Sequence, residues 1–225
     1  LLTLSETLSI TASIDVGGTA EAVLHDGAGQ VRVAAGFGGL VTVQLQGAGG
    51  DVVDRVESQD YLDGLRRHAG HLFVAANYGG IRIFDASALP PLEVGGDPLN
   101  NNQLIAKDIA FGDGDLAYVA ATYHQGFHVV DLSDLSDPQT VGSLDTIDAG
   151  AAMAAEGDTA FFAAGAVAIV DVSTPDLPVL DRWLQGDGPR AATDVALDAG
   201  FAYLSTDVGL AVVDLSGPDP TTVGS

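Results

Sequence analysis

Three aspartates of this chain, Asp63, Asp108 and Asp194, stand nine or ten residues ahead of an aromatic residue, Phe73, Tyr118 and Tyr203 respectively. Carboxylates brought to one axis by a repeating chain supply hard oxygen donors, the ligands that Ca2+ and Mg2+ take. Such a centre would suit a metal-assisted hydrolase or lyase. The recurrence itself argues the other way. Met153 holds the corresponding place in another copy, and Glu21 lies near it in a further one. A carboxylate that recurs copy by copy is expected to accept hydrogen bonds from its own backbone and stitch neighbouring strands, whereas a ligand site breaks the symmetry. The structural role is therefore the expectation, with no cofactor, and Ca2+ or Mg2+ is the alternative.

A second group of residues has the materials of sugar or peptide recognition, amides and phenols with aromatic bodies. It comprises Asp60 and Tyr61, Asn77 and Tyr78, the run Asn100, Asn101, Asn102 and Gln103, and the insertion Tyr123, His124 and Gln125. Asp148, Arg190 and Asp207 fall in comparable segments. The plainer reading of such residues is turn geometry. Other chemistry finds no support. Gly112-Asp113-Gly114-Asp115 lacks the spaced ligands and distal Glu of an EF-hand loop and reads as a hairpin turn. His25, His68, His71, His124 and His128 show no zinc-helix spacing. There is no Gly-x-Ser-x-Gly and no phosphate-cradling loop, since Lys107 follows Ala106 in an apolar strand-like run. Nothing singles out a carboxylate pair for glycoside hydrolysis. Trp183, beside Arg182, reads as packing.

The elements that position these residues come from a repeat. Gly80–Ser87, Gly126–Ser133, Ala166–Ser173 and Gly209–Ser216 share one pattern, an apolar run closed by Asp-x-Ser. Gly39–Gln44 is a weaker copy with Gln44 in the Asp place. The mean spacing is about 42 residues, the period of a four-stranded propeller blade. Upstream of each Asp segment lies a second apolar run, such as Leu116–Val119 or Phe201–Leu204, and before it a shorter one, such as Val195–Leu197. After the Asp come Ser, a Pro-bearing turn and one more strand, as in Pro178-Val179-Leu180. The Asp side chain can accept from the N–H two residues on, and Pro fixes the next bend. Helical periodicity is nearly absent, because the 29 Gly and 9 Pro interrupt most windows.

The expectation is an all-β propeller of about five blades, whole or a piece of a larger one. Repeats run over approximately 19–60, 61–104, 105–148, 149–190 and 191–225. Residues 1–18 supply an outer strand from a preceding or closing blade. In such a ring the amide- and phenol-bearing loops line the central funnel.

Segments such as Val167-Ala168-Ile169-Val170-Asp171-Val172-Ser173 and Leu210-Ala211-Val212-Val213-Asp214-Leu215-Ser216 resemble the LVIVD repeat. The likeness extends to Thr193-Asp194-Val195-Ala196 and Pro138–Ser143, and it is weakest in residues 1–60. It implies a β-propeller of a secreted or cell-surface protein, with the periplasm as an alternative location. It implies a scaffold rather than a particular chemistry.

Composition bounds the partners. The net charge of −23 would repel nucleic-acid phosphates. The absence of Cys removes disulfides and thiolate chemistry. No apolar run reaches the about 20 residues of a membrane helix. No signal peptide is legible, and the chain reads as part of a longer parent with other domains. The function expected is a non-catalytic binding scaffold for a protein or glycan at the funnel. The alternatives are the metal-assisted enzyme and a structural spacer in a larger surface protein.

Overall fold

The computed structural model describes residues 12–27, 29–99, 104–122, 126–145, 151–184, 192–207 and 209–217, and the backbone of 221–224. Among these described residues twenty strands form five four-stranded antiparallel sheets, each taken in chain order. Blade 1 holds β1 (Ala22–His25), β2 (Gln30–Ala34), β3 (Leu40–Gln46) and β4 (Gly49–Val56). Blade 2 holds β5 (Leu65–His68), β6 (His71–Ala75), β7 (Ile81–Asp85) and β8 (Leu92–Asp97). Blade 3 holds β9 (Ile105–Phe111), β10 (Leu116–Thr122), β11 (Phe127–Asp131) and β12 (Gln139–Leu144). Blade 4 holds β13 (Ala152–Glu156), β14 (Thr159–Ala164), β15 (Ala166–Asp171) and β16 (Val179–Leu184). Blade 5 holds β17 (Ala192–Asp198), β18 (Phe201–Thr206), β19 (Gly209–Asp214) and β20 (Thr221–Gly224). The strands of each blade are called a, b, c and d below. The all-β propeller read from the repeat is the fold observed.

The recurring Asp-x-Ser is a turn device. Asp85, Asp131, Asp171 and Asp214 each accept the N–H two residues on, from Ser87, Ser133, Ser173 and Ser216, at 2.8–2.9 Å. This local bond diverts the backbone from the ladder and ends strand c. Every c–d pairing also shifts register once, in blade 3 between Val129 and Val130, so the same twist-inducing irregularity recurs in all five blades.

Alternation along strands b and c sends apolar side chains to both faces, so each inner blade packs on two neighbours. Leu72, Val74 and Phe84 pack with Ala34 and Leu40 between blades 1 and 2. Phe73 and Ile83 pack with Ala117 and Val119 between blades 2 and 3. Tyr118 and Phe127 meet Phe162 and Val170 between blades 3 and 4, with Trp183 half-buried against them. Phe161 and Ile169 meet Leu204 and Val213 between blades 4 and 5. A fifth cluster covers the outer face of blade 1, where Ile14 and Val16 lie over Val33, Val41 and Val43. None of these clusters joins blade 5 to blade 1.

Backbone bonds add to the apolar contacts. The b–c loop carbonyls of Gly36, Asn77 and Gly165 accept N–H groups from Leu62, Ala106 and Ala192 of the following blades. Gly95 and Gly142 of strand d allow a closer approach. A Cβ at Gly95 would lie 2.0 Å from the Leu135 carbonyl oxygen of the next blade, and one at Gly142 would lie 2.1 Å from that of Pro175.

Candidate functional site

The b–c loops of blades 1 and 2 are built alike. Gly36-Phe37-Gly38-Gly39 and Asn77-Tyr78-Gly79-Gly80 occupy the same place and share their hydrogen bonds. Ala35 N–H donates to Gly39 and Gly38 N–H to Ala35, matched by Ala76 to Gly80 and Gly79 to Ala76. The first residue of each loop is left-handed, with φ of 55° at Gly36 and 46° at Asn77. Asn tolerates that conformation better than other side chains. At Gly36 a Cβ would lie 2.8 Å from the Tyr61 ring, so a side chain there would require that ring to move.

Each turn holds an aromatic residue out to solvent, Phe37 at 70% exposure and Tyr78 at 52%. The d–a connection carrying Asp60 and Tyr61 lies between the two loops. Tyr61 meets Phe37 edge-on at 5.0 Å and donates its hydroxyl to Glu21. That bond to a carboxylate raises the Tyr61 pKa above its ordinary value. Asp60 borders Gly79 and lines an open cleft of about 570 Å³ with Arg82, Glu93 and Pro98. There Arg82 is held by both Glu93 oxygens, at 2.8 and 2.5 Å, and by Ser58.

Asp63 stands just ahead of strand a of blade 2, and Asp108 and Asp194 lie in strand a of blades 3 and 5. Asp63 accepts from Lys107 of blade 3 at 3.0 Å and from the Asn77 amide. Burial pushes its pKa up, and Lys107 opposes that shift. Asp108, only 4% exposed, accepts from Arg66 of blade 2 at 2.7 Å and from the Met153 N–H of blade 4 at 3.0 Å. Its pKa is also raised, first by burial, with Arg66 pulling down and Asp194 adding to the rise. Asp194 accepts from its own Val195 N–H.

The three are not equivalent in register. Asp108 faces Ala120 and Asp194 faces Ser205, whereas Gly64 takes that place opposite Ala75 and Asp63 stands one residue earlier. In the fourth repeat the place belongs to Ala152, not Met153. The cause is the a–b turn, two residues long between His68 and His71 and between Asp198 and Phe201 but three between Gly112 and Leu116, so equal counts from an aromatic reach different register places. Asp63 and Asp108 thus bond across blade boundaries, and Asp194 within its own blade. Among the described residues no three His, Asp or Glu side chains converge as a metal cluster.

The sequence reading places Asp60, Tyr61, Asn77 and Tyr78 at this site, and the structure gathers them around blades 1 and 2. Asn100, Asn101, Asn102 and Gln103, Tyr123, His124 and Gln125, and Asp148 and Arg190 lie outside the described residues. Asp207 is exposed in the blade 5 loop. Phe37 escapes that reading, although its match to Tyr78 is legible in Gly36-Phe37-Gly38-Gly39. His68 stacks on Phe111 at 4.2 Å, a packing role. Among the described residues no helix is long and apolar enough to cross a membrane.

Residues 105–146 and 189–225, which hold the strands of blades 3 and 5, match the LVIVD repeat. Among proteins of curated function none matches. Solved structures share the fold at low identity. The computationally designed Ika8 protein is 16% identical with a TM-score of 0.67, over 89% of this chain and 60% of its own length. A functionally unknown protein from Desulfotomaculum acetoxidans is 13% identical with a TM-score of 0.73, over 94% of this chain and 70% of that one. The Cps50 (Swd1) beta-propeller domain of Myceliophteria thermophila is 12% identical with a TM-score of 0.66, over 84% of this chain and 67% of that domain. This chain thus spans about 60–70% of the length of these propeller-like relatives.

Proposed function

We propose that this LVIVD-repeat β-propeller is a binding scaffold, taking a protein or glycan ligand on the loop face above blades 1 and 2. Propeller repeats generally serve as interaction scaffolds, which agrees with this reading. The observation that carries it is the pair of matched turns holding Phe37 and Tyr78 out to solvent. Exposed aromatic residues are unfavourable in water and enriched at recognition sites. Asn77, Glu21 and Asp63 supply directed hydrogen bonds beside them. The family resemblance supports a secreted or cell-surface setting, which fractionation of native cells tests; recovery in the cytoplasm overturns it.

The binding test uses a glycan array and a displayed random-peptide library, probed with the wild type, Phe37→Ala, Tyr78→Ala and the double variant. Selected ligands should bind the double variant at least about tenfold more weakly, the scale of a hot-spot truncation. Its Tm should stay within about 2 °C of wild type, because both rings are exposed. Undiminished binding by the double variant refutes the site.

A further inference from the structure

Blade 5 presents a face unlike the matching face of every blade before it. Four residues ahead of the turn Asp (Gln44 in blade 1), strand c carries Leu40, Ile81, Phe127, Val167 and Leu210 in blades 1 to 5. The first four are buried, and in each case the following blade covers them. Leu210 is 58% exposed. Two residues on, Ile83, Val129 and Ile169 are buried and Val212 is half-buried. In strand b, Phe73, Tyr118 and Phe161 are buried where Tyr203 is half-buried. A terminal repeat that faces only water is expected to be polar on that side.

Two polar devices repeat the pattern. Asp108 receives the Met153 N–H from the blade that follows it, and Asp194 holds the same register place, exposed and, among the described residues, bonded within its own blade. Gly95 and Gly142, opposite Ile83 and Val129, make room for a turn carbonyl of the next blade. The residue opposite Val212 is again a glycine, Gly224.

At the other end of the array Ile14 and Val16 pack on Val33, Val41 and Val43, and among the described residues no apolar cluster joins blade 1 to blade 5. The blades also superpose, over 84% of the chain, on 67% of a longer propeller domain.

We propose that the far face of blade 5 docks a further blade of the same repeat, carried by the same polypeptide. Leu210, Val212 and Tyr203 supply its apolar contact. Asp194 accepts an N–H from its first strand, and Gly224 admits its turn carbonyl. This inference stands apart from the ligand site on the loop face.

The test compares the 225-residue chain with one extended past Ser225 by a second copy of residues 149–190. Amide exchange is followed in β19 and β11, together with Tm and sedimentation. In the unextended monomer, β19 should exchange faster than β11. In the extended chain it should slow about tenfold or more, with Tm rising about 5 °C or more. Leu210→Lys and Asp194→Ala should each diminish that gain while leaving the unextended chain's Tm within about 1 °C, as expected of exposed sites. Unchanged β19 exchange on extension overturns the proposal. So does a dimer of the unextended chain with β19 already protected, which would assign the face to a second copy.

Discussion

Placing one methyl group on the strand-d glycines tests how tightly the blades are joined. An ideal Cβ at Gly95 lies 2.0 Å from the Leu135 carbonyl oxygen and 3.0 Å from its carbon. At Gly142 the corresponding contact, with Pro175 O, is 2.1 Å. Ordinary C···O contacts begin at about 3.3 Å, so the next blade's backbone must withdraw by more than an ångström. Neither obstacle is a flexible side-chain tip. Overpacking of this kind costs about 1–3 kcal/mol, offset by about 0.4–1 kcal/mol from the lost freedom of glycine in the unfolded chain. A net cost of about 1–2 kcal/mol lowers the Tm of a domain this size by about 2–8 °C. Gly49→Ala is the control, since its nearest neighbour would be the Ala12 Cβ at 3.7 Å and its backbone needs no left-handed conformation. Differential scanning calorimetry of the three variants decides the matter. If Gly95→Ala and Gly142→Ala melt together with Gly49→Ala, the close blade contact does not hold in solution.

Phe127→Ala removes a buried ring set 5.8 Å from Tyr118 and 6.3 Å from Phe162. It should cost about 3–5 kcal/mol in urea unfolding; a loss under 1 kcal/mol would count against that packing. Asp108, with its raised folded pKa, stays protonated in the folded chain where the unfolded chain has already ionised, so wild-type stability falls as pH rises through that interval. Asp108→Asn lacks this component and should gain on wild type as pH rises above the ordinary carboxyl pKa; a stability difference independent of pH refutes it. The exposed turn residues Asp85, Asp171 and Asp214 have lowered values, set first by their bonds to Ser87, Ser173 and Ser216. Their stabilisation is complete above the ordinary carboxyl pKa and lost as pH falls through the lowered ones. Asp171→Ala should therefore narrow the stability difference between neutral and acid pH, read from denaturation curves at both, and an unaltered difference would refute the turn role.

The sequence disclosed the blades because their defining contacts are local. Asp171 and Ser173 lie two residues apart, and the apolar runs around them alternate at the period of a strand. Blade 1 was fainter for a physical reason. Its strand c has Gln44 where the turn Asp stands elsewhere and Thr42 where others carry Ile or Val, and Thr42 is buried against Arg32. That divergence also hid the match of Phe37 to Tyr78. The relation among Asp63, Asp108 and Asp194 was obscured because the a–b turn of blade 3 is one residue longer than those of blades 2 and 5, so a count from the aromatic residue does not give the register. Only the hydrogen-bond partners show that Asp63 reaches Lys107 while Asp108 reaches Met153.

The covering of one end of the array by Ile14 and Val16, with the other end bare, bears on how the chain comes apart. A closed ring must break two interfaces to release any blade, whereas a linear stack of nearest-neighbour units loses its last member by breaking one. When the 225 residues stand without a further blade, blade 5 is then the first to fray, and opening should travel from it toward blade 1 in order of sequence. The apparent cooperativity of the chain's urea unfolding would fall below that of a closed propeller of equal length.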